Sequence, residues 1–307
     1  MKCIVAGGSG FIGSALVGRL TELGEVVVLT RKGRAESGRP VEWHPPAAGP
    51  WAEEVASADV VVNLAGENIG AGRWTAERKR RLISSRLEAT GALVEAMRLD
   101  PTRPRTFVSA SAIGYYGSRG DEALDESAPA GEGFLASLAQ QWEEAARAAE
   151  DVARVVIVRL GVVLDEEGGA LERMLLPFRL GVGGPIGSGR QWMSWVDRAD
   201  VIRFIEWAAL RREARGVYNV TAPEPVRNRD FAKALGRALH RPAVIPAPAF
   251  ALRMLFGEMA DEVLLGGQRV VPSRATAEGF SFTYPKLEQS LQRIFGWLRQ
   301  TPLNSAT

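Results

Sequence analysis

Cysteine and histidine are almost absent from this chain, which has one of the first and two of the second. Cys3 has no partner, and His44 and His240 lie far apart without acidic neighbours at ligand spacing. A disulfide framework and a cysteine-rich metal site are therefore excluded, no dedicated metal site is expected, and a reducing, cytoplasmic setting is expected. No apolar run approaches the roughly 20 residues that cross a bilayer, and the start carries no signal-peptide pattern. An excess of one charge is also missing: 38 basic residues stand against 36 acidic ones, a formal charge of +2, and the arginines are scattered. Neither nucleic acid nor a membrane surface is the expected partner. There is no internal repeat and no low-complexity segment.

What is present is the 46% hydrophobic, 24% charged composition of an ordinary soluble enzyme, in 307 residues that suffice for two interleaved lobes. Over the first 165 residues, short β-branched runs alternate with helical patterns, the signature of βαβ units and a parallel sheet. Strands are expected at Lys2–Ala6, Val26–Thr30, Val41–Trp43, Val60–Leu64, Thr106–Ser109 and Val155–Arg159. Helices are expected at Phe11–Leu23, Thr75–Arg98 and Phe134–Ala149. The strand patterns are uniformly apolar, as in sheets covered on both faces. From about residue 166 a smaller α/β lobe follows, with helices at Arg198–Arg212 and Asp230–His240, Asp200 serving as a cap. The run Val217–Val220 is expected to rejoin the first sheet, so that residues 195–220 complete it. Pro302–Thr307 reads as a loose tail.

The first strand runs into Gly7-Gly8-Ser9-Gly10-Phe11-Ile12-Gly13. Gly7 permits a tight turn, Gly10 lets the backbone approach a pyrophosphate, and Gly13 allows close helix–strand packing. With Phe11 and Ile12 opening the helix, its N–H groups and dipole face the phosphates. This is a Rossmann-type dinucleotide loop in its required strand–loop–helix context. The second strand ends in Leu29-Thr30-Arg31-Lys32, where an NAD site carries a carboxylate for the ribose. Arg31 offers a fork to a 2′-phosphate and Thr30 a hydroxyl, so the expected cofactor is NADP(H).

The glycine loop, with Asn63-Leu64-Ala65-Gly66 after the fourth strand, resembles the extended short-chain dehydrogenase/reductase superfamily. Gly66-Glu67-Asn68-Ile69, Arg73-Trp74-Thr75, Ser111 to Tyr115-Tyr116-Gly117, Trp142-Glu143 and Gly187-Ser188-Gly189-Arg190-Gln191-Trp192 resemble its atypical epimerase-like branch. The segment Glu262–Pro272, with Gly279-Phe280 and Tyr284-Pro285, is similar to that branch's terminal domain of unknown function, which here begins near residue 250. The resemblance implies a doubly wound parallel sheet with Leu64, Ala65 and Gly66 on the adenosine and pyrophosphate side. It implies Ser109 to Ser111 beside the nicotinamide and a weaker contact from Leu164. It also implies that Arg86, where other members carry Asn, reaches toward the cofactor phosphates or an anionic substrate; a solvated helix-face arginine is the competing reading.

The resemblance breaks at the Tyr-x-x-x-Lys pair, in which Lys lowers the Tyr pKa and Tyr exchanges a proton. Phe134 stands at the Tyr position and Leu138 at the Lys position. Ser111 keeps the superfamily's serine, and Tyr115 is the candidate substitute acid, with packing as its alternative role. Arg190, Gln191 and Trp192 follow a glycine-rich loop and form either a substrate clamp or the closure of the inter-lobe core. Two functions of different classes follow: an NADP(H)-dependent oxidoreductase or epimerase acting on a small polar molecule as monomer or homodimer, or a non-catalytic NADPH-binding sensor.

Overall fold

The computed structural model describes residues 1–31 and 33–296; Lys32 and the tail expected at Pro302–Thr307 lie outside them. In chain order the first lobe contains β1 (Lys2–Ala6), α1 (Phe11–Leu20), β2 (Glu25–Thr30), β3 (Arg39–Glu42), α2 (Trp51–Ala56), β4 (Val60–Asn63), α3 (Ala76–Met97), β5 (Thr106–Ala112), α4 (Phe134–Arg147) and β6 (Arg154–Leu160). Then follow α5 (Gly169–Arg179), α6 (Arg198–Leu210), β7 (Gly216–Val220), α7 (Asn228–Leu239), α8 (Ala249–Phe256), α9 (Ser273–Ala277) and α10 (Leu287–Phe295).

Among the described residues, seven strands form one parallel sheet in the order β7-β6-β5-β4-β1-β2-β3. The order reverses direction at β1 and β4, so the glycine loop after β1 and the Leu64–Gly66 loop after β4 flank the crevice where doubly wound folds bind ligands. Cys3, Val5, Val28, Val62 and Val108 face α1 and α6, whereas Ile4, Val27, Val61 and Phe107 face α2, α3 and α4. Apolar residues on both faces explain why these strands do not alternate with polar ones. Burial also pushes the Cys3 thiol up to about 11, which leaves it an inert core residue.

Several boundaries differ from the sequence expectation. α1 stops at Leu20 because Glu22 and Leu23 turn back to the carbonyls of Arg19 and Leu20, tightening the last turn. β5 continues to Ala112, because Ser111 and Ala112 pair with Arg159 and Leu160 of β6. The expected cap at Asp200 is a correction: Asp197 caps α6 by accepting from Ala199 N. Asp200, fully buried, instead accepts from the backbone N–H groups of Thr283 and Tyr284.

The second lobe packs α5, α7 and α10 around Leu171, Trp195, Phe231 and Leu291. It is threaded into the first. β7 lies beside β6 as expected, Val270 and Leu124 share a short parallel pairing, and α9 packs on β7.

Candidate functional site

At the crevice, Gly7 (φ +81°) turns so tightly that a Cβ would stand 2.8 Å from the carbonyl carbon of Leu64. A Cβ on Gly13 would collide with the Gly7 carbonyl and stand 2.7 Å from Gly8 Cα, whereas one on Gly10 would meet only Gly7 O at 3.2 Å. Gly13 is thus needed by the fold, and Gly10 leaves its outer side open. α1 has no side chain bonded over its N-terminus and no acidic residue in its first turn. Its N–H groups and positive dipole end are available to an anion. Phe11 packs against Gly168 and Gly169 and lies under the Arg198 guanidinium at 5.2 Å, while Ile12 leans on the core.

Thr30 is buried at the end of β2 and Arg31 is exposed beyond it. A cavity of about 220 Å³ next to the glycine loop is lined by Gly8, Ser9, Ser14, Arg34, Ala35, Glu36 and Ser37. Arg34 was not singled out from the sequence, because it lies beyond the strand end where the fingerprint looks. The donors present, an open helix N-terminus and two guanidinium groups, fit a dinucleotide with an extra phosphate. Asn63 shapes the opposite wall: its side chain accepts from Ala65 N at 3.2 Å and donates to Thr90 Oγ1 at 2.9 Å.

Three expectations are corrected by burial. Arg86 is turned inward, donating to the carbonyls of Leu82 and Glu67 and lying 5.0 Å over the Trp142 ring. Removed from water, it has its pKa pulled down to about 10, and its role is to brace the Gly66-Glu67 loop. Leu164 is fully buried in the second-lobe core, and Ser109 is fully buried within β5, so neither presents surface to a ligand. The Gln191 amide donates to Ile186 O and Leu264 O, which ties down its loop.

Ser111 is buried and donates to Glu143 Oε1 at 2.8 Å. The same carboxylate receives Arg159 Nε at 2.7 Å and Nη2 at 2.9 Å, a two-bond fork between groups almost wholly removed from water. Burial disfavours the Arg159 charge, but Glu143 more than offsets it and holds the guanidinium above its ordinary pKa. Arg159 also donates to Tyr116 Oη, which donates to Asn219 Oδ1 at 2.7 Å. Burial pushes the Tyr116 phenol up to about 12, against the opposing pull of Arg159. Tyr115, half-buried, stacks on the Arg159 guanidinium at 3.4 Å. From the sequence, Glu143 stands out only as part of the Trp142-Glu143 motif and Arg159 only as the end of a strand. An ionisable pair on an otherwise apolar helix face and strand was the available signal.

Where the Tyr-Lys pair would stand, the wall is apolar. Phe134 packs edge-on against Trp74 at 5.1 Å, and Leu138 is buried with Leu82 and Met259. The C-terminal segment seals this wall: Glu262 accepts from Phe134 N at 2.7 Å and Leu135 N at 2.8 Å, capping α4. Lys79, paired with Glu258, sits 4.8 Å over the Phe134 ring. No local sequence signal links Glu262 to a helix 128 residues away.

Where the two lobes meet, a pocket of about 710 Å³ is lined by Arg190, Gln191, Trp192, Arg227, Arg229 and Asp121, among others. Trp192 donates from Nε1 to Asp121 at 2.9 Å and lies between Arg227 (4.0 Å) and Arg269 (5.1 Å), while Arg190 is exposed. Among the described residues no helix is long and apolar enough to cross a membrane.

A doubly wound sheet with a glycine loop over an open helix N-terminus defines a Rossmann-type nucleotide-binding protein of the short-chain dehydrogenase/reductase kind. Residues 3–221 match the NAD dependent epimerase/dehydratase family, to which the chain belongs, and residues 247–294 match a domain of unknown function, DUF1731. The human epimerase family protein SDR39U1 is 40% identical over 298 residues, covering 96% of this chain and 99% of its own. An Arabidopsis thaliana homologue named chloroplastic is 40% identical over 302 residues, covering 96% and 86%. The crystal structure of human SDR39U1 (isoform 2) with NADPH superposes with a TM-score of 0.86 at 38% identity, covering 96% of this chain and 99% of that one.

Proposed function

We propose that this protein binds NADPH in preference to NADH and carries out an oxidoreduction, or an epimerisation through transient oxidation, on a small polar molecule held between its lobes. The carrying observation is the open N-terminus of α1 beside a basic edge, Arg31 and Arg34, with no carboxylate at the end of β2. The NADPH complex of the human relative supports the same choice. When bound, the nicotinamide supplies or accepts hydride. Gly10 opens the path to the α1 amides, Gly13 lets α1 pack against the loop, Arg31 and Arg34 hold the 2′-phosphate, and Leu64–Gly66 border the adenosine side. Tyr115 is the proton carrier of this reading, since Ser111 is committed to Glu143 and neither Phe134 nor Leu138 can move a proton. Arg190, Gln191 and Trp192 line the pocket for the polar substrate. In this reading the protein works in the cytoplasm as monomer or homodimer, without nucleic acid or membrane partners.

The apolar wall at Phe134 and Leu138 favours a second reading, a sensor that binds NADPH without turning it over. Calorimetric titration tests the first part: NADPH should bind at least tenfold tighter than NADH, and Arg31→Asp should abolish that preference. Equal affinities in the unaltered protein would remove it. NADPH fluorescence across a panel of carbonyl compounds tests the second part. Turnover supports the enzyme, whereas stabilisation by NADPH with no turnover anywhere in the panel supports the sensor.

A further inference from the structure

Most of the exposed large apolar side chains of the described residues fall in two stretches, Leu176–Val182 and Val244–Val263. The backbone joins these stretches: Ile245 N donates to Gly183 O at 3.2 Å, Ala247 N to Pro185 O at 2.9 Å, and Gly187 N to Ala247 O at 2.9 Å. α5 enters this seam and α8 leaves it. At their other ends both helices return to one loop of the first lobe, where Arg173 of α5 donates to Gly70 O. Gly257, which closes α8, is held so near the Arg73 guanidinium that a Cβ there would stand 3.0 Å from Nε. The two helices therefore flank a furrow tied at both ends.

Each helix carries one exposed stripe, and both stripes run to an arginine. On α5, Arg173, Leu176 and Leu180 follow at i, i+3 and i+7; on α8, Phe250 and Met254 follow at i and i+4 and lead to Gly257 and Arg73. α8 buries none of its residues, although it is largely apolar. Neither Arg73 nor Arg173 has a carboxylate partner among the described residues. Two guanidinium groups near one loop without a carboxylate countercharge offer charge-assisted donors to an anion. Exposed apolar stripes of this kind mark ligand grooves or interaction surfaces.

We propose that this furrow is a binding site for a soluble amphipathic anion, its phosphate or carboxylate held by Arg73 and Arg173 and its aliphatic body lying along Leu176, Leu180, Phe250 and Met254. The α5 stripe is roughly 10 Å long at 1.5 Å per residue, which suits a medium-length chain. The site shares no residue with the pocket at Arg190 and Trp192 and does not depend on the NADPH reading.

Calorimetry on the full chain tests it, with decyl phosphate below its micelle concentration, decanol, inorganic phosphate and UDP-glucose as probes. Decyl phosphate should bind at least tenfold tighter than either decanol or inorganic phosphate. The Arg73→Ala/Arg173→Ala variant should fall to the decanol level, and Phe250→Ser/Met254→Ser to the phosphate level; all four substituted positions are solvent-facing, and circular dichroism checks their folding. The proposal is overturned by UDP-glucose binding where decyl phosphate does not, by unchanged decyl phosphate affinity in both variants, or by binding seen only with phosphatidylglycerol vesicles. NADPH titrated into the same samples separates the two readings: its affinity should be unaffected by either pair of substitutions, and its failure to bind at all would remove the cofactor proposal while leaving the furrow standing.

Discussion

At the scale of single residues, the pair Glu143 and Arg159 governs the end of β5. Both groups are at most 2% exposed, and their fork fixes Ser111 and the tyrosine turn. Glu143→Gln keeps the shape and removes the countercharge, leaving a buried cation to face neutral atoms. The expected loss is about 3–5 kcal/mol in urea denaturation, the usual consequence of breaking a buried pair, whereas replacing both partners by Leu and Met should lose much less. A loss as large in the double variant as in the single would show that packing, not charge, is at stake. The sequence made the type of site legible here but not its wiring. Ser111 and Tyr115 follow from motif position, yet whether a serine is free or bound depends on how α4 lies across β5 and β6, and no spacing within one segment encodes that. The same limit explains Arg86, whose exposed-looking charge pattern on α3 gave no hint of the Trp142 ring beneath it.

At the scale of elements, the strand–loop–helix unit was the most legible part, because its residue types are dictated by sterics within thirteen positions. β1 is placed to the residue; errors gather at helix ends, at β3, which lies at Arg39–Glu42, and at β5, whose last residues are strand only because β6 stands beside them. Within the loop the glycines divide by function. Gly10 has φ −86°, which any residue adopts, and a Cβ there meets one atom. Gly10→Ala should therefore change stability by less than about 0.5 kcal/mol in thermal unfolding, while its methyl group blocks the pyrophosphate and weakens NADPH binding at least tenfold. Gly13→Ala forces its Cβ into the Gly7–Gly8 backbone and should cost about 1–3 kcal/mol with or without cofactor. If Gly10→Ala bound NADPH as well as the unaltered protein, the loop would not be the pyrophosphate cradle.

At the scale of the whole molecule, the question is what makes two interleaved lobes fold as one. Asp197 begins α6, which packs on the main sheet, and its carboxylate accepts from Ser290 Oγ at 2.6 Å and Arg293 Nε at 2.9 Å, both on α10 of the second lobe. Arg293 also reaches Asp165 at 2.8 Å. Burial raises the Asp197 pKa above the ordinary carboxylate range even with Arg293 opposing it. Arg293→Met removes that opposition and should destabilise by about 2–3 kcal/mol at neutral pH, less than for a fully enclosed pair because Arg293 keeps some contact with water. The sign with pH follows from the direction of the shift. A carboxylate whose folded pKa lies above its unfolded value binds its proton more readily when folded, so lowering the pH through the folded pKa stabilises the fold. In the variant that folded pKa rises further, so its deficit relative to the unaltered protein should shrink as urea denaturation is repeated from pH 7 toward pH 5. A deficit that stays constant over this range would mean that Arg293 joins the lobes through Asp165 and the Tyr284 ring, not through the charge it brings to Asp197.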